Sequence, residues 1–178
     1  MSGYCRIAPG HPVHHNYHAT EYGFPATDET VLFERLCLEI MQAGLSWELV
    51  LKRRDGMRDA FAGFAVDAVA AMDPADEARL LADARIIRNR LKVAAIIENA
   101  RRVQALRASH GGFAAWLDAQ HKLDKPGWIK LFGKTFKFTG GEIVGEFLMS
   151  LGYLPGAHAE DCPVQKRVRK ARPPWLRA

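Results

Sequence analysis

The chain has 178 residues, 48% of them hydrophobic, enough for one sizeable core and short for two independent ones. It has no apolar run long enough to cross a bilayer and no basic-then-apolar N-terminal signal, so a cytoplasmic protein without a membrane partner is expected. The three cysteines are scattered, which argues against a disulfide framework and leaves metal binding or core packing as their uses. The net charge of +5 is local: residues 163–178 carry six cations and no acid, and subtracting that +6 leaves −1 for the rest. A second basic concentration runs through Arg85, Arg88, Arg90, Lys92, Arg101, Arg102 and Arg107. Such clusters suit a phosphate backbone or another polyanion; the plainer reading is a solvated helix face and a frayed tail.

Strand signals are nearly absent, whereas 3.6-residue periodicity recurs from residue 28 onward, predicting an all-α protein. Residues 1–27, rich in His, Gly and Pro, read as irregular. Asp28 caps a first helix reaching about Ala43, and Ser46 caps a second running towards Met57 and Phe61. Asp73 or Pro74 opens a short helix ending near Ala84. A long helix is predicted over Ile86 to Leu106, with Val93, Ile96, Ile97, Ala100 and Val103 inward. Gly111 and Gly112 break the pattern before a short helix from Phe113 to Gln120. An aromatic segment, WIKLFGKTFKF, follows, and Glu142 to Leu151 forms a last helix closed by Gly152. Residues 152–178 again read as irregular.

Two features stand out against this background. Counting at helical spacing from Leu32 gives Leu36, Glu39 and Ala43, which places a carboxylate on the stripe that should face the core. The two irregular ends offer Cys5 and His18, and His158 and Cys162, a donor set that suits tetrahedral zinc. His11, His14 and His15 compete for the same role, and a chain with seven histidines can produce such pairs by accident. Cys37, inside the helical stripe, reads as packing.

Several blocks occur together and in order: Cys5, NYHATEYG (16–23), CLEIMQAGLSW (37–47), LADARIIRNRLKVAAIIENA (81–100), FKFTGG (136–141) and HAEDC (158–162). In this combination the chain resembles the DNA-3-methyladenine glycosylase I family, among the helix-hairpin-helix DNA glycosylases. The match spans about residues 4–162, so one glycosylase domain over 1–162 and a basic tail over 163–178 are expected. The resemblance implies a monofunctional enzyme that flips an N3-alkylated purine out of double-stranded DNA and hydrolyses its N-glycosidic bond. It assigns Glu39 as the base-reading carboxylate, with Tyr17, Trp47 and nearby Tyr22 as aromatic partners of the cationic base. It also implies a structural zinc on Cys5, His18, His158 and Cys162.

The hairpin of such an enzyme would lie in residues 80–92, with Arg85, Ile86, Ile87, Arg88, Arg90 and Lys92 as the DNA-binding set. Family members commonly have glycine where this chain has Arg85, so the turn is expected to differ or the arginine to add a phosphate contact. Ile7 and His14 stand where the family usually places aromatic residues and Tyr22 where it usually has tryptophan, and FKFTGGEI replaces the family's more usual threonine-bearing sequence after FKF, which introduces Glu142 near a possible pocket wall. Glu142 and Glu146 share a helix face and read most simply as solvent-exposed. Asp118 has no context that would make it a catalytic acid. A monomer is expected, since one copy suffices to hold a bent duplex. The competing reading is a non-catalytic, zinc-stapled protein that recognises damaged or structured DNA without cleaving it.

Overall fold

Side-chain caps set the starts of the four longest helices. In the computed structural model, which describes residues 3–177, every regular element is helical. In chain order these are α1 (Gly3–Ile7), α2 (His14–Thr20), α3 (Glu29–Gln42), α4 (Trp47–Ala60), α5 (Val66–Ala70), α6 (Pro74–Ala82), α7 (Arg90–His110), α8 (Phe113–Ala119), α9 (Lys125–Thr135), α10 (Gly141–Ser150) and α11 (Pro163–Lys170). Single 3-10 turns occupy Ala62–Phe64 and Pro174–Leu176. None of the described helices is long and apolar enough to cross a membrane.

The protein is built around α3. Asp28 starts it, its carboxylate accepting from the Val31 amide at 3.0 Å, and every residue from Leu32 to Met41 is buried. A helix buried all round must neutralise whatever charge it carries. Glu34 receives Arg54 Nε at 2.9 Å and Arg58 Nε at 2.6 Å. Burial pushes its carboxyl up, but the two guanidiniums outweigh burial and hold it below its ordinary range. Arg35 Nη1 donates to the backbone carbonyls of Glu21 and Ser150 at 2.9 and 2.8 Å, tying α3 to both ends of the chain.

Around this centre the predicted starts hold at α4, where Ser46 Oγ accepts from the Leu49 amide at 3.2 Å, and at α6, where Asp73 forms a capping box with Asp76. The long helix differs. It begins at Arg90, not Ile86, because Asn89 is its N-cap and accepts from the Lys92 amide at 3.2 Å. Ile86 is buried as the anchor of the preceding turn, so its apolar character mimicked one more helical turn. Gly111, at φ 78°, closes α7 in the left-handed conformation that favours glycine.

The termini also depart from the sequence reading: α1, α2, α11 and the Pro174–Leu176 turn replace the irregular segments. Elements this short have too few turns to show a period and hold through tertiary contacts instead. Val168 of α11 is buried, Arg167 Nη1 donates to the Ala19 carbonyl at 3.0 Å, and the Trp175 amide donates to the Gly152 carbonyl at 3.0 Å.

Lys92 was assigned above to DNA, and the structure corrects this. Its side chain is buried, and Nζ donates to the carbonyls of Met41 and Ala43 at 2.8 and 2.6 Å, completing the C-terminal end of α3. Burial lowers its pKa, the expected response of an ammonium leaving water. Lys92→Met keeps the stem and removes both donors. It should destabilise the protein by about 2 kcal/mol, lowering Tm by roughly 4–8 °C, while leaving the salt dependence of DNA binding unchanged. A calorimetric scan and a salt titration of DNA affinity check the two halves; an altered salt slope would return Lys92 to the DNA surface.

Candidate active site

Glu39 lies at the buried end of α3, 4% exposed, and its carboxylate forms no hydrogen bond or ion pair among the described residues. An unpartnered buried carboxylate is costly in its charged form. Its pKa is pushed well above the ordinary 4.5, first by burial, next by the neighbouring Glu146 carboxylate, with Arg35 opposing. What it faces instead is a cavity of about 240 Å³ lined by Tyr4, Tyr17, Tyr22, Glu39, Gln42, Trp47 and Glu146. That is below the ~300 Å³ at which drug-sized sites begin, and on the scale of one base. A second opening of about 280 Å³, towards Ala43, Gly44, Leu45 and Glu142, shares Glu39, Gln42 and Glu146 with it, so these three form the common wall.

Aromatic rings surround the carboxylate. Tyr17 sits 5.0 Å from Trp47 at an interplanar angle of 62° and 5.7 Å from Tyr22 at 33°, and Tyr4 meets Tyr22 edge-on at 5.6 Å. The Arg35 guanidinium lies 5.6 Å from the Tyr17 ring centroid, fixing that ring from behind. Trp47 is half-buried and follows the Ser46 cap directly, so the start of α4 aims it across the mouth. Sequence reasoning named Tyr17, Tyr22, Glu39 and Trp47, and the structure brings all four together. It missed Tyr4, Gln42 and Glu146. Gln42 follows Glu39 by three residues in the same helix and was legible; Tyr4 and Glu146 carry no comparable signal.

Cys5, His18, His158 and Cys162 are all buried, with one ligand atom from each lying within 4.8 Å of the others. Cys5 Sγ is 3.7 Å from His158 Nδ1, and Cys162 Sγ is 3.8 Å from His158 Nδ1 and 3.9 Å from His18 Nε2. Tetrahedral zinc would place sulfur and nitrogen ligands ~3.6 Å apart, so the group fits with a small contraction. His158 Nε2 lies 2.7 Å from the Tyr22 carbonyl, which accepts its proton and leaves Nδ1 as the metal-facing nitrogen. The competing histidines are elsewhere: His11 Nδ1 accepts from the amides of Val13 and His14, and His15 Nδ1 from the Gly10 amide.

Between α6 and α7, residues 83–89 form a tight hairpin. Arg85 does not adopt a positive φ, so the turn is made without the left-handed residue a glycine would supply. The close approach is accommodated on the other side: a Cβ on Gly56 of α4 would lie 2.7 Å from that of Arg85. The Arg85 side chain is held by Asp83, at 2.8 Å, and Asp59, at 3.3 Å, and is not a free phosphate ligand. Arg101 donates to the carbonyls of Ala70 and Met72, Arg102 pairs with Glu98, and Arg107 with Glu29 and Asp67. Of the seven cations in this stretch, only Arg88 and Arg90 make no side-chain hydrogen bond or ion pair among the described residues, and both are exposed.

The methyladenine glycosylase family profile matches residues 7–126, well over half of the chain. The chain belongs to the methyladenine glycosylase family. DNA-3-methyladenine glycosylase 1 of Escherichia coli (strain K12) is 52% identical over 97 residues, a match covering 54% of this chain and 52% of that protein. DNA-3-methyladenine glycosylase of Haemophilus influenzae is 32% identical over 182 residues, covering 92% of this chain and 98% of the relative. Among solved structures, 3-methyladenine DNA glycosylase I from Staphylococcus aureus, described for its recognition of 3-methyladenine, superposes with a TM-score of 0.82 at 30% identity over 90% of this chain and 95% of that one. The all-α fold of this methyladenine glycosylase is therefore the fold of its relatives.

Several further positions named from the sequence have definite places in the structure. Ile7 is 60% exposed and does not line the aromatic cavity. His14 is buried beside Tyr4, whose hydroxyl lies 3.4 Å from Nδ1. Glu142 is exposed on the outer opening, as expected, whereas Glu146 turns inward and its Oε2 accepts from the Tyr22 hydroxyl at 3.0 Å. Asp118 is held by the Tyr153 hydroxyl at 2.7 Å and Arg177 at 2.9 Å, a structural role away from the cavity.

Proposed function

We propose that this methyladenine glycosylase is monofunctional, releasing 3-methyladenine or a closely related N3-alkylated purine from double-stranded DNA, with Glu39 reading the flipped-out base. The observation that carries the assignment is a buried carboxylate with no partner, set in a base-sized aromatic cavity. N3-alkylation makes the purine a cation. When the N9–C1′ bond breaks, its electron pair moves to N9 and cancels the ring's charge, while water adds to C1′ and gives its proton to solvent. The protein's part is to hold that cation in the flipped-out position. Glu39 accepts the exocyclic N–H hydrogens and balances the ring charge, and Tyr17, Tyr22 and Trp47 offer π-faces to it. An uncharged adenine gains little from either, so discrimination follows from charge. Among the described residues no lysine or aspartate lines the cavity, which favours an abasic site without strand scission as the product. A purely DNA-binding module would gain nothing from burying Glu39 uncompensated.

Cys5, His18, His158 and Cys162 would hold a structural zinc, a closed four-ligand site that joins the two ends of the chain and leaves no position for an activated water. The segment from Pro163 onward belongs to the same domain, given the buried Val168 and the Arg177–Asp118 pair. A monomer in the cytoplasm remains our reading of the whole.

For DNA, backbone N–H groups of the hairpin and the N-terminus of α7 face a phosphate, with Arg88 and Arg90 as its free cations. Arg88→Ala combined with Arg90→Ala should weaken binding to every sequence equally and reduce the slope of log K against log salt by roughly 1.8. Fluorescence anisotropy across a salt series measures this. The same substitutions at Arg101 and Arg107 should leave the slope in place and lower Tm, and an unchanged slope in the Arg88/Arg90 double variant would remove the hairpin from the DNA surface. The function itself is tested by incubating the protein with methylated DNA and separating the released bases by chromatography; absence of 3-methyladenine above a no-enzyme control refutes it.

A further inference from the structure

Glu146 is the one ionisable carboxyl lining the aromatic cavity that the proposed mechanism leaves idle. It projects from α10 and lines both openings, beside Glu39 in each. Its Oε2 is tied by the Tyr22 hydroxyl at 3.0 Å, so the carboxylate is aimed and not free to swing into solvent. Oε1 has no hydrogen-bond partner among the described residues. Tyr22 is itself held in place, since its backbone carbonyl accepts from His158 Nε2 at 2.7 Å. Among the described residues no cation pairs with Glu146: Arg35, which lies over the Tyr17 ring, is committed to the backbone carbonyls of Glu21 and Ser150 and lies 3.6 Å from the Glu21 carboxylate. Two carboxyls therefore share one small cavity with no resident positive charge between them.

We propose that Glu146, oriented by Tyr22, is a second charge-reading residue of the pocket, which tightens its preference for a permanently cationic N-alkylated purine over an uncharged one. This rests on the Glu39 pocket being the base site. In the empty pocket burial first, and then the neighbouring Glu146 carboxylate, raise the cost of charging Glu39. A cation entering between them relieves that repulsion and gains attraction from both, so its affinity depends on Glu146. A neutral base feels neither effect. Tyr22 is a positioning residue in this scheme, acting through the carboxylate it holds.

The experiment compares the full-length, zinc-loaded protein with Glu146→Gln, Tyr22→Phe and Glu39→Gln, titrated by calorimetry with two probes: 3,9-dimethyladeninium, whose charge is fixed, and neutral 9-methyladenine. Glutamine keeps the acceptor for Tyr22 and removes only the charge. Glu146→Gln should weaken the cationic probe roughly tenfold and leave the neutral one within about twofold, with Tyr22→Phe intermediate. Equal weakening of both probes would make Glu146 a structural residue and overturn the proposal. So would wild-type behaviour of Glu146→Gln while Glu39→Gln loses the preference, and in that case the pocket itself stands. If neither variant alters the ratio, the base site lies elsewhere and both readings fall.

Discussion

Glu39→Gln should lower kcat/KM for release of 3-methyladenine from methylated DNA by about 100-fold or more while making the resting protein more stable at neutral pH. The first half follows from charge. Glutamine is nearly the same shape and can still accept one N–H hydrogen bond, but it cannot balance a cationic ring, and the loss of one such preorganised group is worth roughly 2.7–4 kcal/mol. The second half follows from the carboxyl's situation in the empty cavity. Its pKa in the folded protein is raised above the ordinary 4.5, so between about pH 4.5 and the raised value the unfolded chain binds fewer protons than the folded one. Stability conferred by keeping the proton is then lost as pH rises, and glutamine escapes that loss. The Tm difference between variant and wild type should therefore grow in the variant's favour as pH is taken from 4.5 towards neutrality. Paired base-release assays and melting curves across that range test both, and a variant that is less active but no more stable would mean that Glu39 has a partner inside the fold.

Loss of the metal should be the larger structural effect. Elemental analysis should find about one equivalent of zinc in the intact protein and none in Cys162→Ala, whose Tm should fall by roughly 10 °C or more. A metal there would be worth this much because it would join residues 153 positions apart, Cys5 and His158, and so restrict nearly the whole chain. The damage should reach the pocket as well. His158 is hydrogen-bonded to the Tyr22 carbonyl and its ring sits 5.6 Å from that of Tyr22, so releasing His158 loosens one aromatic wall. Zinc below half an equivalent in protein purified without chelator, with Tm unmoved by EDTA, would remove the metal from this account.

The legible parts of the sequence were those fixed by local chemistry. Asp28, Ser46 and Asp73 are short polar caps followed by apolar periodicity, and α3, α4 and α6 begin where these residues place them. Glu39 announced itself as a charge on an apolar stripe, and the four cavity residues inferred from the resemblance converge in space. What could not be read was set by tertiary partners. Lys92 looks basic in one dimension and is a buried helix cap in three, because its two acceptors lie about fifty residues earlier. Arg101, Arg102 and Arg107 likewise spend their charge on distant carbonyls and acids. Glu146 gave the opposite error: helical spacing put it beside exposed Glu142, and only the approach of Tyr22, 124 residues earlier in the chain, turns it inward.

The cap that Lys92 forms has a geometric corollary. The residue belongs to the first turn of α7, immediately after the hairpin, and it grips the end of α3 where Gln42 lines the base cavity and Ala43 the opening next to it. Under the proposed DNA grip, the phosphate clamp and the excision chamber are thus bolted to a single strut. The protein carries a built-in ruler: the nucleotide it can interrogate stands at a set offset from the phosphate it clasps. Wherever it lands along a duplex it asks the same question one step away, and needs no letter of the genetic text to find its place.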